Sequence, residues 1–347
     1  MTNKTLVIVN ATGRQAASLA RVASAVGYQV RAHVSQKTTP VGQELEALQN
    51  VTLIQGSLED KELVADLFAG ARKAFINTIS WGDEVAIGKS LADAAKKAHV
   101  QQYVYSSMPD HSVFGKGWPA VPLWSCKFTV ENYIRQIGLP ATFVYTGIYN
   151  NNFTSLPMPL FRMALQSDGS FEWKAPFDPH IAIPWFDAEH DTGPAVLQIL
   201  KDGPQKWSGH RIALAFELLT PTRVCRLFSC ALRRPVRYVC GQTIDIEVSV
   251  PNGYREQLLA LEVLFGKYKA PYFGMDLERG VSREVNDANG WNGDGSGGDS
   301  GKGTAVEEAR ALWPGWRGIE EYAREVFVCA HERHLGGRSE ADEDISR

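Results

Sequence analysis

The 347-residue sequence predicts a doubly wound parallel α/β sheet followed by a smaller α+β lobe. Three observations carry that expectation. Short apolar runs, beginning with LVIV at 6–9, alternate with helical patterns as far as residue 146, and runs of this kind suit strands buried on both faces. A tight turn, Asn10-Ala11-Thr12-Gly13, joins the first run to a helix, at the point where a parallel sheet places its ligand. From Gly147 the rhythm breaks, and prolines and aromatics crowd between Pro157 and Trp185. The expected organisation is therefore one domain over 1–146, a lobe over 147–330 and a tail over 331–347.

The elements follow in order. Ala16, Leu19, Ala20, Val22, Ala23 and Val26 recur at helical spacing until Gly27 stops the helix. Strands are expected at 29–34 and 50–55, with a short helix around 43–48 between them. A helix over 61–69 leads to a strand at 74–77, and 84–98 is strongly helical, with Ile87, Leu91, Ala94, Ala95 and Ala98 along one face. A fifth strand at 102–106, a helix over 127–137 and a sixth strand at 141–145 complete a right-handed βαβ series. In the second half, Thr220-Pro221 supplies an N-cap and a first-turn proline for a helix running to about 232. A second amphipathic helix covers 254–265. The stretch ending in DANGWNGDGSGGDSGKG, about 280–304, has almost nothing to bury and reads as a disordered loop. Helices return at 305–312 and 319–327, and the polar residues from His331 onward read as frayed.

Composition excludes several classes. The formal charge of −3 draws the chain to neither nucleic acid nor an anionic membrane, and no apolar run is long enough to span one. The N-terminus lacks a secretion signal, so an intracellular protein is expected. Five cysteines, an odd number without zinc spacing, read as reduced thiols. His331 and His334 have no further ligand nearby, and no metal is expected.

The turn after the first strand is a degraded form of the glycine fingerprint of the Rossmann fold, with Asn10, Gly13 and Ala16 at the glycine positions. Asparagine tolerates the left-handed backbone best among non-glycine residues, Gly13 keeps a close backbone approach, and Ala16 is small enough for helix–strand packing. Strand ends then supply the candidate dinucleotide contacts: Asn10, Thr12, Gly13, Arg14 and Gln15 after the first, Ser35 and Lys37 after the second, Asn77 and Thr78 after the fourth, Ser106 after the fifth. No Asp or Glu occurs between Ala16 and Gln43, so the carboxylate that selects NAD is missing; no arginine closes the second strand to favour NADP. Comparable binding of NAD and NADP is expected. Short-chain reductases of this topology pair a tyrosine acid with a lysine four residues on. Lys127 stands in a suitable place, but Leu123 occupies the position four before it and no Tyr-x-x-x-Lys occurs in the chain. No catalytic residue is assigned. The alternative is a working reductase of the isoflavone-reductase kind that uses Lys127 without the tyrosine.

The runs VNATGRQAAS, AFINTISWGDEVAIGKSLADAAKKA, YVYSSMPDHSVFG, KFTVENYIRQIGLP and TGIYNNNFTSLP, with FDPHIAIPWFDAEHDTGPA further on, resemble the NmrA-like family of atypical short-chain dehydrogenases over nearly the whole chain. The resemblance implies a dinucleotide-binding repressor without dehydrogenase activity, acting in nitrogen metabolite repression in nucleus and cytoplasm. It implies a GATA-type zinc-finger activator as the partner, with no direct DNA binding and no membrane. It also implies that Asn10, Thr12, Gly13, Arg14, Gln15, Asn77 and Lys127 touch the dinucleotide, while Ser35 departs from the larger polar residue expected there. Outside that site, Arg223, Arg226, Arg233, Arg234 and Arg237 form a basic cluster, readable as a solvated face or as a docking surface for an acidic partner segment. Glu320, Glu321 and Glu325 offer the opposite charge, and His111 reads as a loop residue with a satisfied hydrogen bond.

Overall fold

Successive side chains of a strand point to opposite faces, and the first strand, β1 (Thr5–Ile8), has apolar residues for both. Leu6 and Ile8 join a cluster with Leu19, Ala20, Val196 and Leu200, while Val7 and Val9 join another with Leu91, Val130 and Ile134. The computed structural model describes residues 4–79, 82–155, 159–244, 254–275, 277 and 305–330. The stretch at about 280–304 and the tail from 331 lie outside the described residues.

The chain continues through α1 (Arg14–Ala25), β2 (Gln29–Val34), α2 (Pro40–Glu46), β3 (Val51–Gln55), α3 (Lys61–Phe68), β4 (Lys73–Ile76), α4 (Glu84–Lys97), β5 (Gln102–Ser107), α5 (Pro122–Gln136) and β6 (Ala141–Thr146). The second half adds β7 (Ile148–Tyr149), β8 (Met163–Leu165), β9 (Phe171–Ala175), β10 (Ile183–Phe186), α6 (Ala188–Asp202), α7 (Pro204–Trp207), β11 (Arg211–Leu214), β12 (Glu217–Leu219), α8 (Pro221–Leu232), β13 (Val236–Cys240), α9 (Tyr254–Leu261), α10 (Ala305–Leu312) and α11 (Ile319–Tyr322). Seven parallel strands form one sheet in the order β11-β6-β5-β4-β1-β2-β3, so the order reverses between β1 and β4 and a crevice opens at their carboxyl ends.

Two expectations need correcting. The sheet has a seventh strand, β11, which pairs with β6 from Arg211 to Leu214 although it lies beyond the change of rhythm at Gly147. Four residues are too few to show a period, so the strand is invisible until β6 supplies its neighbour. The fifth helix opens at Pro122, not at Lys127: proline at the first helical position has no N–H to lose and its fixed φ starts the helix. Lys127 therefore sits in the second turn.

Helix α6 returns to the layer of α1 and crosses it at close range. Gly193 makes this possible, because a Cβ there would lie 2.4 Å from the Ser18 carbonyl oxygen. In the same contact the Gly193 N–H donates to Ser18 Oγ at 2.9 Å. Over the carboxyl ends of the sheet, two three-stranded sheets, β12-β10-β7 and β13-β9-β8, enclose an aromatic core in which Phe153 packs against Trp173, Trp185 and Phe228. Trp173 is fully buried and its indole N–H donates to the Leu160 carbonyl at 2.9 Å, so its polar atom is satisfied.

Gly193→Ala places a methyl group against the Ser18 carbonyl, and overpacking of this kind costs about 1–3 kcal/mol. Urea denaturation is expected to show that loss; an unchanged midpoint would mean that α1 and α6 part freely.

Candidate functional site

Asn10 adopts φ +54°, the left-handed conformation expected of it. Its side-chain amide donates to the Asn77 carbonyl at 2.7 Å, which ties the end of β1 to the end of β4. The Gly13 N–H closes the turn on the Asn10 carbonyl at 2.9 Å, and a Cβ on Gly13 would stand 3.3 Å from that oxygen. The turn delivers the chain into α1, whose N-cap Gly13 has no side chain to offer and whose first turn contains no acid. Helices α2, α3, α4, α6 and α8 are each capped by a Thr or Asp side chain. The start of α1 is left with its N–H groups pointing outward and the positive end of its dipole uncompensated, which suits a phosphate.

Gln15 is buried, its amide nitrogen donating to the Tyr149 hydroxyl and its Oε1 having no partner among the described residues. Thr12 is half-buried in the turn. Arg14 points across to α6, where its Nε meets Glu189 Oε1 at 2.7 Å on the surface. At the end of β2, Ser35 is exposed, and the Lys37 ammonium lies 3.9 Å from Glu46 while its backbone N–H donates to Gln55. Arg31 is spent elsewhere, donating to carbonyls at the end of α3. One residue missed in the sequence stands behind the turn. His33 accepts the Asn10 N–H at 3.4 Å on Nδ1 and donates from Nε2 to the Gly56 carbonyl at 3.0 Å, and burial lowers its pKa. Its place inside a strand gave no sign of that role.

The other half of the crevice is built around an ion pair. Lys127 Nζ donates to Glu84 Oε1 at 2.9 Å and to the Thr78 carbonyl at 2.5 Å, and the two side chains are 16% and 3% exposed. The Thr78 hydroxyl donates to the same carboxylate at 2.7 Å and meets the Tyr105 hydroxyl at 2.9 Å. Glu84 is absent from the sequence-based candidates because it reads as an ordinary acid in the first turn of α4, where the helix dipole favours it. With Asn77, Thr78, Ser106, Lys127 and Gln15 on the sheet side, a cavity of about 420 Å³ opens toward the second lobe, roofed by Trp124, Phe161, Phe177, Phe265 and Tyr272. Ser35 and Lys37 do not line it.

The phenols near Lys127 and in the cavity are all raised by burial. Tyr105 comes within one hydroxyl of Lys127, but it is fully buried in the sheet, does not line the cavity, and burial raises its pKa. Tyr149, Tyr254 and Tyr272 do line the cavity, and burial raises each of them as well. His111 is buried among Trp118, Trp124 and Phe265; its Nε2 lies 2.8 Å from the Pro271 carbonyl, as expected, but its Nδ1 has no partner among the described residues, so the ring is only half satisfied. Among the described residues no three His, Cys, Asp or Glu side chains converge as metal ligands, and no helix is long and apolar enough to cross a membrane.

Fold and site together define a Rossmann-type α/β protein with an open helix N-terminus at its strand-order reversal and a buried lysine–glutamate pair in the crevice. The NmrA-like family model matches residues 2–323, and the chain belongs to that family. It is 60% identical over 341 residues to the nitrogen metabolite repression protein nmrA of Emericella nidulans, covering 95% of this chain and 96% of that one. It is 50% identical to the nitrogen metabolite repression protein nmr of Neurospora crassa, over 94% of this chain and 69% of that protein. Crystal structures of NmrA, described as a negative transcriptional regulator, in complex with NADP and with NAD superpose with TM-scores of 0.86 and 0.87; each is 57% identical and covers 96% of this chain and 98% of its own.

Removing one partner of a buried ion pair strands the other, at a cost of about 3–5 kcal/mol. Lys127→Met is expected to show that loss in urea denaturation, and Lys127→Met with Glu84→Gln to recover part of it. A double variant no more stable than the single one would show that the pair is not the constraint.

Proposed function

We propose that this chain is a dinucleotide-binding negative regulator of transcription in nitrogen metabolite repression, acting through a protein contact and without turnover. The observation that carries the reading is the 60% identity over 95% of the chain to a nitrogen metabolite repression protein. The proposed dinucleotide unit is 1–146 and the proposed covering lobe 147–330, with β11 returning to the sheet. NAD or NADP would lie across the strand ends, its pyrophosphate against the first turn of α1 beside Asn10, Thr12, Gly13 and Arg14. Gln15, whose Oε1 lacks a partner, Asn77, Thr78, Ser106 and Lys127 would face its nicotinamide half, and Ser35 and Lys37 its adenosine ribose. The uncapped helix start and that unpaired oxygen support the fit.

When bound, the dinucleotide supplies a hydride donor or acceptor. The surrounding residues do not supply the matching proton, because the Lys127 ammonium faces Glu84 at 2.9 Å and its field is spent on a carboxylate. We therefore propose a receptor and not a reductase, present in nucleus and cytoplasm. Its proposed partner is a GATA-type zinc-finger activator, and it does not itself bind DNA.

At the end of β2 neither a carboxylate nor an arginine meets the adenosine ribose, so calorimetric titration is expected to give NAD and NADP affinities within about tenfold, that is within 1.4 kcal/mol. A strong preference for either cofactor would overturn that assignment. Immobilised protein loaded with NADP or NAD is expected to retain the isolated zinc finger of a GATA-type activator. Failure to retain it in either state, or steady oxidation of NADPH against carbonyl and enone substrates, would remove the reading.

A further inference from the structure

Helix α6 opens on two fully buried carboxylates, Asp187 and Asp191. Asp187 is the N-cap, and its Oδ1 accepts the Glu189 and His190 N–H groups and the Asn151 amide, each at 3.1 Å. Asp191 reaches across to the turn between α10 and α11. Its Oδ1 accepts the Trp313 indole N–H and the Arg317 backbone N–H, each at 3.2 Å, while its Oδ2 accepts the Asp187 N–H at 3.3 Å. In that turn the chain passes from one core to another. Ala309 and Leu312 before it pack in the cluster of Leu19, Val196 and Leu214, and Ile319, Tyr322 and Phe327 after it pack in the cluster of Trp173, Trp185 and Phe228. One turn of α6 therefore holds the segment that ties the aromatic core to the sheet.

The charges in this contact do not balance. Among the described residues, the arginine that reaches the two carboxylates is Arg317, whose Nε stands 3.0 Å from Asp187 Oδ2 and whose Nη1 lies 3.5 Å from Glu325. Nε and Oδ2 are close enough to attract but are not aligned as a hydrogen bond. Two buried anions thus share one cation, and a buried charge left without a partner is costly. The surrounding elements do not correct this. On α10, Arg310 donates instead to the Phe216 carbonyl at 2.9 Å, and on α1, Arg14 is paired with Glu189 at 2.7 Å. On β12, Glu217 accepts the Ile319 N–H at 2.7 Å and adds a further negative charge near Asp191, while the Tyr322 hydroxyl is taken by Thr154 at 2.7 Å. His190 is the group placed to supply the second cation. Its Nδ1 lies 2.6 Å from Asp191 Oδ1, and its side chain is 36% exposed, so the ring can exchange protons with water. The Trp313 ring, 6.4 Å from it, carries no charge.

We propose that this contact is a proton-dependent clasp: protonated His190 completes the charge balance of Asp187, Asp191 and Arg317, and the turn between α10 and α11 is gripped more firmly as the pH falls. The hydrogen bond to Asp191 raises the His190 pKa, and burial raises that of Asp191, so the folded pair keeps its proton to higher pH than the unfolded chain does. A group raised in this way contributes stability that is fully present below its unfolded value, about 6.5 for histidine, and is lost as the pH rises through the folded value. His33 and His111 are lowered by burial and act in the opposite sense, so global stability mixes the three and the test has to be local. It uses hydrogen exchange of the full-length chain, read by mass spectrometry and corrected for the intrinsic effect of pH. The stretch 309–327 is followed at about pH 6 and about pH 8.5, below the ordinary histidine value and well above it. The unaltered chain is expected to protect that stretch at least about tenfold better at the lower pH, relative to β1 and β4. His190→Gln keeps a donor for Asp191 but cannot carry the charge, and it is expected to remove the difference by exchanging faster at the lower pH. Titration of the His190 ring by NMR is expected to place it above about 6.5. Protection of 309–327 that does not change with pH, a change no larger than that in β1 and β4, a difference that survives in His190→Gln, or a ring that titrates at or below the ordinary value would each overturn the proposal.

Discussion

The left-handed turn at Asn10 sets where the crevice opens, because three strands are fastened through one residue. Its side chain holds the end of β4 through the Asn77 carbonyl, and its N–H reaches His33 on β2. An L-residue with a full side chain resists that backbone conformation, whereas asparagine accepts it and can use its amide on a neighbouring strand. A glycine would make the turn as easily but would give up the bond to Asn77. The chain therefore enters α1 from a braced point, and the helix start stays in register with the sheet while its own N–H groups remain uncapped. His33 in the form described receives an N–H on Nδ1 and donates from Nε2, so the turn is best satisfied by the neutral ring. Its lowered pKa, caused by burial, acts in the same direction.

The Lys127–Glu84 pair decides the chemistry of the crevice in much the same way. In a working short-chain reductase the lysine's charge is directed at a phenol, making it easier to ionise. Here the lysine faces a buried carboxylate, and the Thr78 hydroxyl, which donates to that carboxylate, stands between the lysine and the Tyr105 phenol. An anion placed near a tyrosine makes it harder to ionise, and Glu84 contributes to raising Tyr105. One acidic residue at the start of α4 thus fixes the lysine and adds its charge to the burial that raises Tyr105.

Much of the sheet and its flanking helices up to β6 was legible in the sequence because the strands are buried on both faces and the helices have one apolar face, so period alone separates them. The turn was legible for a different reason, since few residues can occupy its backbone. What escaped depended on tertiary partners. Strand β11 has four residues and becomes a strand only beside β6. Helix α5 begins five residues before the expected point, because Pro122 at its first position starts it. Glu84 and His33 look like a surface acid and a strand residue until α4 and β2 are folded against the crevice. The resemblance to a family located most of the candidate contacts, but it could not show that Arg14 and Lys37 each already face a glutamate.

Those two glutamates bear on how the proposed receptor would respond to its ligand. Arg14 and Lys37 are surface cations in exposed pairs, and such pairs contribute little to stability, typically about 0–1 kcal/mol. Exchanging a glutamate for a phosphate oxygen at either place therefore costs the fold almost nothing. The Lys127–Glu84 pair is different, because its carboxylate is buried and cannot be released to water without a large penalty. Binding can rearrange the outer cations while the inner pair stays fixed, so occupancy would be felt at α6 through Glu189 more than at the floor of the cavity. A protein that binds a dinucleotide without consuming it holds it in proportion to its concentration and its affinity. On the proposed reading, that proportion is what a transcriptional regulator would pass on to its partner.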